Sequence, residues 1–311
     1  MGAPVLPPAV SGERFELDTA AGRISVYQAG TPPPAVAGAP RLPPLLLVHS
    51  VNAAASVAEV APLFEHYRRD RAVYALDLPG YGFSDRSDRP YTPRMMTDAV
   101  LAVIARMRQD HGAEPVDVLA VSLSCEFAAR AQCESPGAIR RLALVSPTGF
   151  SRSKRRYGAP GTTLGVPWLY RLFTWPFWAE GIFRTLTRPG VIRYFLQRTW
   201  GSKGIDEDLW RYAVVTTRQA GARHAPFRFV SAYLFSADIN HVYEAVDVPV
   251  WVSMATRGDF TDYQGRHTVQ GRRNWQFHAV EGGALPYFEP GSTCIALLDR
   301  FWSEPLPGAL N

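Results

Sequence analysis

Short apolar runs alternate with helical patterns along most of the chain. Five runs show no polar–apolar alternation, which is typical of strands buried on both faces of a sheet. They cover residues 45–48, 72–76, 116–121, 142–145 and 250–254, with a weaker run at 275–280. Helical spacing of apolar positions predicts helices over 54–68, 93–111, 123–133 and 292–302. Strands that alternate with helices indicate an α/β fold with a mostly parallel, doubly wound sheet.

The alternation stops near residue 150 and resumes near residue 246. The segment in between holds 19 of the chain's 37 aromatic residues and five of its eight tryptophans, in helix-like pieces separated by glycine and proline. A short strand pair is predicted before residue 30, and a proline-rich loop follows it to residue 44. We therefore expect an α/β core of residues 1–149 and 246–311, with residues 150–245 inserted as a helical cap.

Positive charge is concentrated in this predicted cap. Residues 150–245 carry 14 Lys or Arg against 6 Asp or Glu, whereas the rest of the chain carries 19 against 22. A basic run at 152–156 precedes an aromatic stretch at 168–178. This pattern indicates either a cap whose aromatics form its own core, or an apolar pocket beside an anionic head group or membrane surface. No nucleic-acid motif accompanies the scattered basic residues, so nucleic acid is not an expected partner.

Cysteine usage and the N-terminus exclude several classes of protein. The three cysteines form no CxxC pair and no cluster with histidine, which argues against a disulfide scaffold and against a zinc site. We expect neither a metal nor another cofactor. The first residues lack the basic and apolar regions of a signal peptide, and no uncharged run of about 18 apolar residues occurs. A cytoplasmic protein is expected, with peripheral membrane attachment and oligomeric state left open.

Ser122 lies in the pattern that carries the most chemistry. The run 116–121 ends in Ala120-Val121-Ser122-Leu123-Ser124, and a helical pattern follows at once. Small residues two positions before and after a serine are typical of a nucleophile elbow, a turn so tight that larger side chains do not fit. The backbone amide of Leu123 would point at the start of that helix, where free donors and the helix dipole favour an anion.

These motifs resemble the α/β-hydrolase superfamily over about residues 14–149 and 246–303. The strand 45–48 followed by His49-Ser50 resembles the family's strand that ends in His-Gly. The stretch from Asp77 to Asp85 is similar to its Asp-x-x-Gly-x-Gly-x-Ser loop and is the most specific match. The resemblance implies Ser122 as the nucleophile and Asp259, in Gly258-Asp259, as the acid of the triad. It also implies the backbone amides of Val51 and Leu123 as oxyanion donors.

One departure from the family affects the chemistry directly. Where the family's Gly-His-x-Pro carries the catalytic base, this chain has Gly283-Ala284-Leu285-Pro286, so Ala284 stands in the histidine's place. A base displaced to another position remains open, with His241 at the end of the predicted cap first and His267 second. A serine without a base is a poor nucleophile near neutral pH.

Three functions follow from this pattern. The first is an enzyme acting on ester bonds, an esterase-like or lipase-like hydrolase with an atypical triad and a small lipophilic, acyl-bearing substrate. The second keeps the fold and the oxyanion donors without a covalent serine, as in a lyase or an isomerase. The third is a catalytically inactive binding or scaffold protein.

Overall fold

One eight-stranded sheet forms the centre of the molecule. The computed structural model describes residues 4–30, 42–152 and 155–305, and the elements below belong to these residues. The strands are β1 (Glu13–Thr19), β2 (Gly22–Ala29), β3 (Leu45–Val48), β4 (Val73–Asp77), β5 (Val116–Val121), β6 (Ile139–Val145), β7 (Val250–Ala255) and β8 (Trp275–Val280). Their order across the sheet is β1-β2-β4-β3-β5-β6-β7-β8.

Eleven α-helices accompany the sheet within the described ranges. They are α1 (Ala61–Tyr67), α2 (Pro93–His111), α3 (Ser124–Glu134), α4 (Pro167–Thr174), α5 (Ala179–Leu186), α6 (Pro189–Trp200), α7 (Glu207–Thr216), α8 (His224–Val230), α9 (Ile239–Ala245), α10 (His267–Gln270) and α11 (Cys294–Ser303). Six of them, α4 to α9, lie between β6 and β7.

The pairing of the strands confirms the fold class predicted from the sequence. β1 pairs with β2, and β2 with β4, in antiparallel orientation. The six strands from β4 to β8 are parallel to their neighbours. Each of the six apolar runs singled out in the sequence corresponds to one of these parallel strands. The architecture is that of the α/β-hydrolase fold.

The central strands are buried on both faces because helices cover both. In β3, Leu46 and Val48 belong to the core cluster that includes residues of α2 and α3. Leu45 and Leu47 belong to the cluster that includes residues of α1 and α11. Successive side chains of a strand point to opposite faces, so a strand between two helical layers needs apolar residues at every position.

The loop after β4 is closed by the carboxylate of Asp77. Its Oδ1 accepts a hydrogen bond of 3.0 Å from the amide of Val57, and its Oδ2 one of 2.9 Å from the amide of Phe83. A Cβ on Gly82 would lie 1.9 Å from the Asp77 carboxyl carbon, and the φ of Gly82 is 48°. Only glycine fits there, which explains the second glycine of the Asp-x-x-Gly-x-Gly-x-Ser loop in structural terms.

Two further findings concern the described residues as a whole. None of their helices is both long and apolar enough to cross a bilayer. Among the same residues, no group of three or more His, Cys, Asp or Glu side chains could hold a metal ion.

Candidate active site

Ser122 lies in the sharp turn between β5 and α3. Its φ is 56°, in the left-handed region that costs a non-glycine residue about 1–2 kcal/mol. The Ser122 amide donates a hydrogen bond of 2.8 Å to the carbonyl of Val145, and the Ser122 carbonyl accepts one of 3.2 Å from the Cys125 amide. Its side chain is partly exposed, and no described residue hydrogen-bonds its hydroxyl. This strand–turn–helix geometry presents a hydroxyl at the carboxyl edge of a sheet.

The small residues beside the turn are fully buried. Ala120 is the next-to-last residue of β5, and Ser124 begins α3. The Ser124 hydroxyl donates a hydrogen bond of 2.5 Å to the carbonyl of His49. Serine therefore replaces glycine at this position without crowding, and it ties the start of α3 to the loop after β3.

Two backbone amides in the loops that follow β3 and β5 have no acceptor among the described residues, those of Val51 and Leu123. The Val51 loop is held by Glu59, a buried side chain whose Oε2 accepts from the amide of Ser50 at 2.9 Å. Its Oε1 accepts from the side-chain amide of Asn52 at 2.6 Å. Sequence reasoning missed Glu59. The available signal was one carboxylate inside the apolar run Val57-Ala58-Glu59-Val60.

His49 has a structural role in the same loop. Its Nε2 accepts a hydrogen bond of 3.0 Å from the amide of Leu78. Its Nδ1 therefore carries the proton and donates to the carbonyl of Ser50 at 2.6 Å. Because both ring nitrogens are engaged and the residue is fully buried, His49 is not free to accept a proton from a nucleophile.

Asp259 lies in the turn after β7, and its carboxylate accepts hydrogen bonds from within that turn. Oδ2 accepts from the Tyr263 hydroxyl at 2.7 Å and from the Ala255 amide at 3.2 Å, and Oδ1 from the Thr261 amide at 3.1 Å. Burial, and then the Asp259 charge, raise the pKa of Tyr263 well above its usual range, so its phenol stays protonated and donates. Within the described chain, no histidine hydrogen-bonds this carboxylate.

Ala284 is held against the end of α6. Its amide donates a hydrogen bond of 2.8 Å to the carbonyl of Thr199. A Cβ on the preceding Gly283 would lie 2.5 Å from the same oxygen, so the backbones of the two segments are in close contact. The Gly283 amide also donates to Glu289 Oε1 at 2.6 Å. The loop that carries the base in the family is therefore closely packed here, and the Ala284 side chain is buried.

The two histidines considered as displaced bases lie on the surface. The ring of His241 packs edge-on against Tyr157, with 4.7 Å between ring centroids. His267 hydrogen-bonds the carbonyl of Gln264 through Nδ1 at 2.9 Å, and its Nε2 lies 2.6 Å from the guanidinium of Arg155. The hydroxyl of Ser122 and the amides of Val51 and Leu123 thus have no hydrogen-bond partner among the described residues, whereas His241 and His267 are engaged in other contacts.

Comparison with known proteins agrees with this architecture. The family profile described as the alpha/beta hydrolase fold matches residues 43–196. No curated protein sequence matches the chain. Similar solved structures include the epoxide hydrolase CorEH, 16% identical with a TM-score of 0.69, covering 94% of this chain and 97% of its own. The naproxen esterase of Bacillus subtilis is also 16% identical, with a TM-score of 0.66 and coverages of 94% and 92%. A membrane phospholipase A described as a bacterial virulence factor is again 16% identical, with a TM-score of 0.66 and coverages of 93% and 85%.

Proposed function

Because the chain belongs to the α/β-hydrolase superfamily, we propose that it hydrolyses ester bonds in an apolar, acyl-bearing small molecule, with Ser122 as the nucleophile. The observation that carries this proposal is the left-handed φ of Ser122 at the junction of β5 and α3. Strain of this kind persists where the surrounding structure holds it, and it is concentrated at functional sites. The fold also admits ester chemistry, since the similar structures include an esterase and a phospholipase.

The two free amides are suited to the charge that develops during acyl transfer. As the Ser122 oxygen attacks the carbonyl carbon, negative charge collects on the carbonyl oxygen. The amides of Val51 and Leu123 would donate hydrogen bonds to that oxygen, and the N-terminus of α3 would add its dipole. Loss of one such donor typically costs about 10²–10³ in kcat. Glu59 acts on this step as a positioning residue, because it fixes the loop that carries Val51.

Removal of the hydroxyl proton of Ser122 is the energetically costly step of the reaction. The proton must leave the oxygen as the bond to carbon forms, and it must reach the departing alcohol. With Ala284 in the histidine's place, water carries this proton unless a displaced base such as His241 or His267 swings inward. A water molecule then cleaves the acyl-serine and releases the carboxylic acid. Subtilisin without its catalytic histidine still accelerates its reaction about 10³–10⁴-fold over the reaction in water. Turnover here should therefore be measurable but slow.

The hydrogen bonds of Asp259 favour a second candidate, a protein that binds acyl compounds without turning them over. Both carboxylate oxygens already accept from residues of their own turn. Such a protein would retain the two free amides, which can bind a carbonyl group in its ground state. A lyase or isomerase that uses the same amides is a separate alternative, because it too needs no serine nucleophile but does turn over its substrate.

A serine-reactive phosphonate tests the proposal directly. We expect it to label the wild-type protein and the Ser146→Ala variant but not Ser122→Ala. Ser146 is the matched control because it follows β6 at the same sheet edge and also has a positive φ, 47°. A panel of esters with increasing acyl length, assayed on the same three proteins, should give slow hydrolysis that requires Ser122.

The outcomes separate the two candidates. Ser122-dependent labelling and turnover support the hydrolase. Absence of labelling, together with ligand-induced thermal stabilisation that persists in Ser122→Ala, supports the binding protein and overturns the hydrolase.

A further inference from the structure

Helix α4 is apolar on two opposite sides, although none of its residues is buried. On the inner side, the ring of Phe173 stacks on Phe227 with 5.8 Å between centroids, and Tyr170 packs edge-on against Tyr233 at 5.6 Å. This side attaches α4 to the neighbourhood of α8. The inner contacts leave the rest of the helix surface available, and that surface is apolar too.

The outer side presents aromatic residues to the solvent. Trp168 and Leu172 are one helical turn apart and are 67% and 45% exposed. The chain after the helix continues the same composition, since Trp175 is 50%, Phe177 88% and Trp178 45% exposed. These five residues, named here the aromatic ridge, lie within eleven positions of the chain. Single exposed apolar residues are ordinary, whereas a group of this density marks an interaction site.

Contacts within the ridge hold two of its three indoles in place without burying them. Trp175 stacks on Trp178 with 5.9 Å between ring centroids and 27° between planes. The indole nitrogen of Trp178 donates a hydrogen bond of 2.8 Å to the carbonyl of Leu172. The exposed aromatic surface therefore exists before any partner binds, so binding need not order these groups.

Over residues 168–188, which contain the ridge, three arginines stand against one acidic residue, Glu180. Arg171 on α4 and Arg188 at the start of α6 are exposed, and in the described part of the chain neither forms an ion pair. Arg184 and Arg223 differ, because both pair with Glu180. The whole segment 150–245 has 14 basic against 6 acidic residues. A partner that covers the ridge must therefore accept aromatic rings and supply negative charge.

We propose that the aromatic ridge docks on the surface of an anionic lipid bilayer. Tryptophan rings are favoured at the headgroup level of a membrane, and basic residues beside them are attracted to anionic lipids. A second copy of this chain fits less well, because two facing ridges would bring the unpaired arginines of both copies together. The docking is peripheral, and it places residues 168–178 at the lipid surface.

The structure also identifies which basic residues take part. Arg156 belongs to the basic run that precedes the ridge in sequence, but it is buried and paired with Glu126. Arg155 is exposed, and its guanidinium lies beside His267. The charge next to the ridge comes from Arg171 instead, which lies between Trp168 and Leu172 on the same helix.

Vesicle flotation tests the proposal without reference to hydrolysis. The probe is a vesicle of phosphatidylcholine containing about one quarter phosphatidylglycerol, whose surface attracts basic segments. Wild type should float at low salt and much less at about 1 M salt, where the screening length has fallen from about 30 Å to about 3 Å. Trp168→Ser with Phe177→Ser should lower the bound-to-free ratio by at least tenfold, and Arg171→Glu should lower it only on anionic vesicles.

Matched variants control for general loss of aromatic surface or charge. Phe260→Ser removes an aromatic residue that is 62% exposed outside the ridge, and Arg211→Glu makes the same charge change on α7. Both should float like wild type. The proposal is overturned if wild type does not float at low salt, or if the ridge variants and the controls float equally. A dimer that the ridge variants abolish, without any vesicle binding, would assign the ridge to a second copy.

Discussion

Arg156 and Glu126 form a buried ion pair, with 2.6 Å between Nη2 and Oε1. Glu126 lies on α3, four residues after Ser122, and Arg156 lies in the chain that leads from β6 to α4. The other oxygen of Glu126 accepts from the amide of Ser236 at 3.0 Å. Two separate parts of the segment 150–245, at Arg156 and at Ser236, are therefore fixed to α3, the helix that begins directly after the turn at Ser122.

Breaking this pair should destabilise the protein strongly. In Arg156→Ala the Glu126 carboxylate stays buried without its counter-ion, a change that typically costs about 3–5 kcal/mol. We expect urea unfolding monitored by tryptophan fluorescence to show this loss. Arg155→Ala removes the neighbouring exposed arginine and should unfold at the wild-type midpoint. Equal midpoints for the two variants would show that the pair does not hold the segment in place.

Cys125 should be inert in the native protein, although it lies three residues after Ser122. Its Sγ donates a hydrogen bond of 3.2 Å to the carbonyl of Ala120, and burial raises the pKa of its thiol well above the usual range. Since the thiolate is the reactive form, iodoacetamide at about pH 8 should leave Cys125 unmodified until urea is added. Cys125→Ala should keep phosphonate labelling. Native-state alkylation of Cys125, or loss of labelling in this variant, would argue for a thiol nucleophile.

His278 should make the protein less stable in mild acid. Its ring stacks on Trp251 at 5.6 Å, its Nε2 is buried without a partner among the described residues, and burial lowers its pKa although Glu304 opposes this. The unfolded chain takes up this proton near pH 6.5 and the folded chain only at lower pH. The free energy of unfolding therefore falls as the pH drops below about 6.5, by up to about 1.4 kcal/mol per pH unit.

Urea titrations between about pH 7 and pH 5 check this dependence. His278→Phe keeps an aromatic ring on Trp251 and removes the titrating group, so its stability should fall less steeply than that of wild type. Trp251→Phe changes the same packing and retains His278, so it should keep the wild-type slope. Parallel slopes for wild type and His278→Phe would assign the acid sensitivity to other groups.

Much of the fold could be predicted from the sequence because its main signals are local. The strand 45–48 is apolar at every position, and burial on both faces requires this. The turn after Asp77 needs glycine at Gly82 for a steric reason that any sequence with this loop shares. The apolar run before Ser122 predicts a strand and the apolar spacing after it predicts a helix, and the structure confirms both elements.

What could not be predicted depends on contacts between distant residues. Arg156 stands in a basic run typical of a solvated loop, and its burial follows from Glu126, 30 residues earlier. Nothing in the sequence indicates that the carbonyl of Thr199 meets the amide of Ala284. The hydrogen bond from Tyr263 to Asp259 spans only four residues, but it depends on the left-handed φ of 53° at Tyr263, a conformation that the sequence does not favour.

The hydrogen bond from Tyr263 to Asp259 limits how much hydrolytic activity a histidine introduced at position 284 can restore. Ala284→His places an imidazole in the family position, and the backbone bond from residue 284 to Thr199 can persist. The new ring must also bind Asp259, whose Oδ2 already accepts from the Tyr263 hydroxyl at 2.7 Å. Tyr263→Phe removes this competing donor and keeps the buried ring. The double variant Ala284→His with Tyr263→Phe should therefore gain more activity than Ala284→His alone.

We expect the double variant to hydrolyse an activated ester at least tenfold faster than wild type, which corresponds to about 1.4 kcal/mol of barrier. The gain stays far below the roughly 10⁶-fold effect of a native histidine because the Ala284 side chain is buried in a closely packed loop. Tyr263→Phe alone should not raise the rate, and adding Ser122→Ala to the double variant should return it to background. If the double variant folds and its rate does not rise, Asp259 does not support a base at position 284. If a displaced base rather than water already carries the proton in the wild type, His241→Ala or His267→Ala should abolish the wild-type hydrolysis.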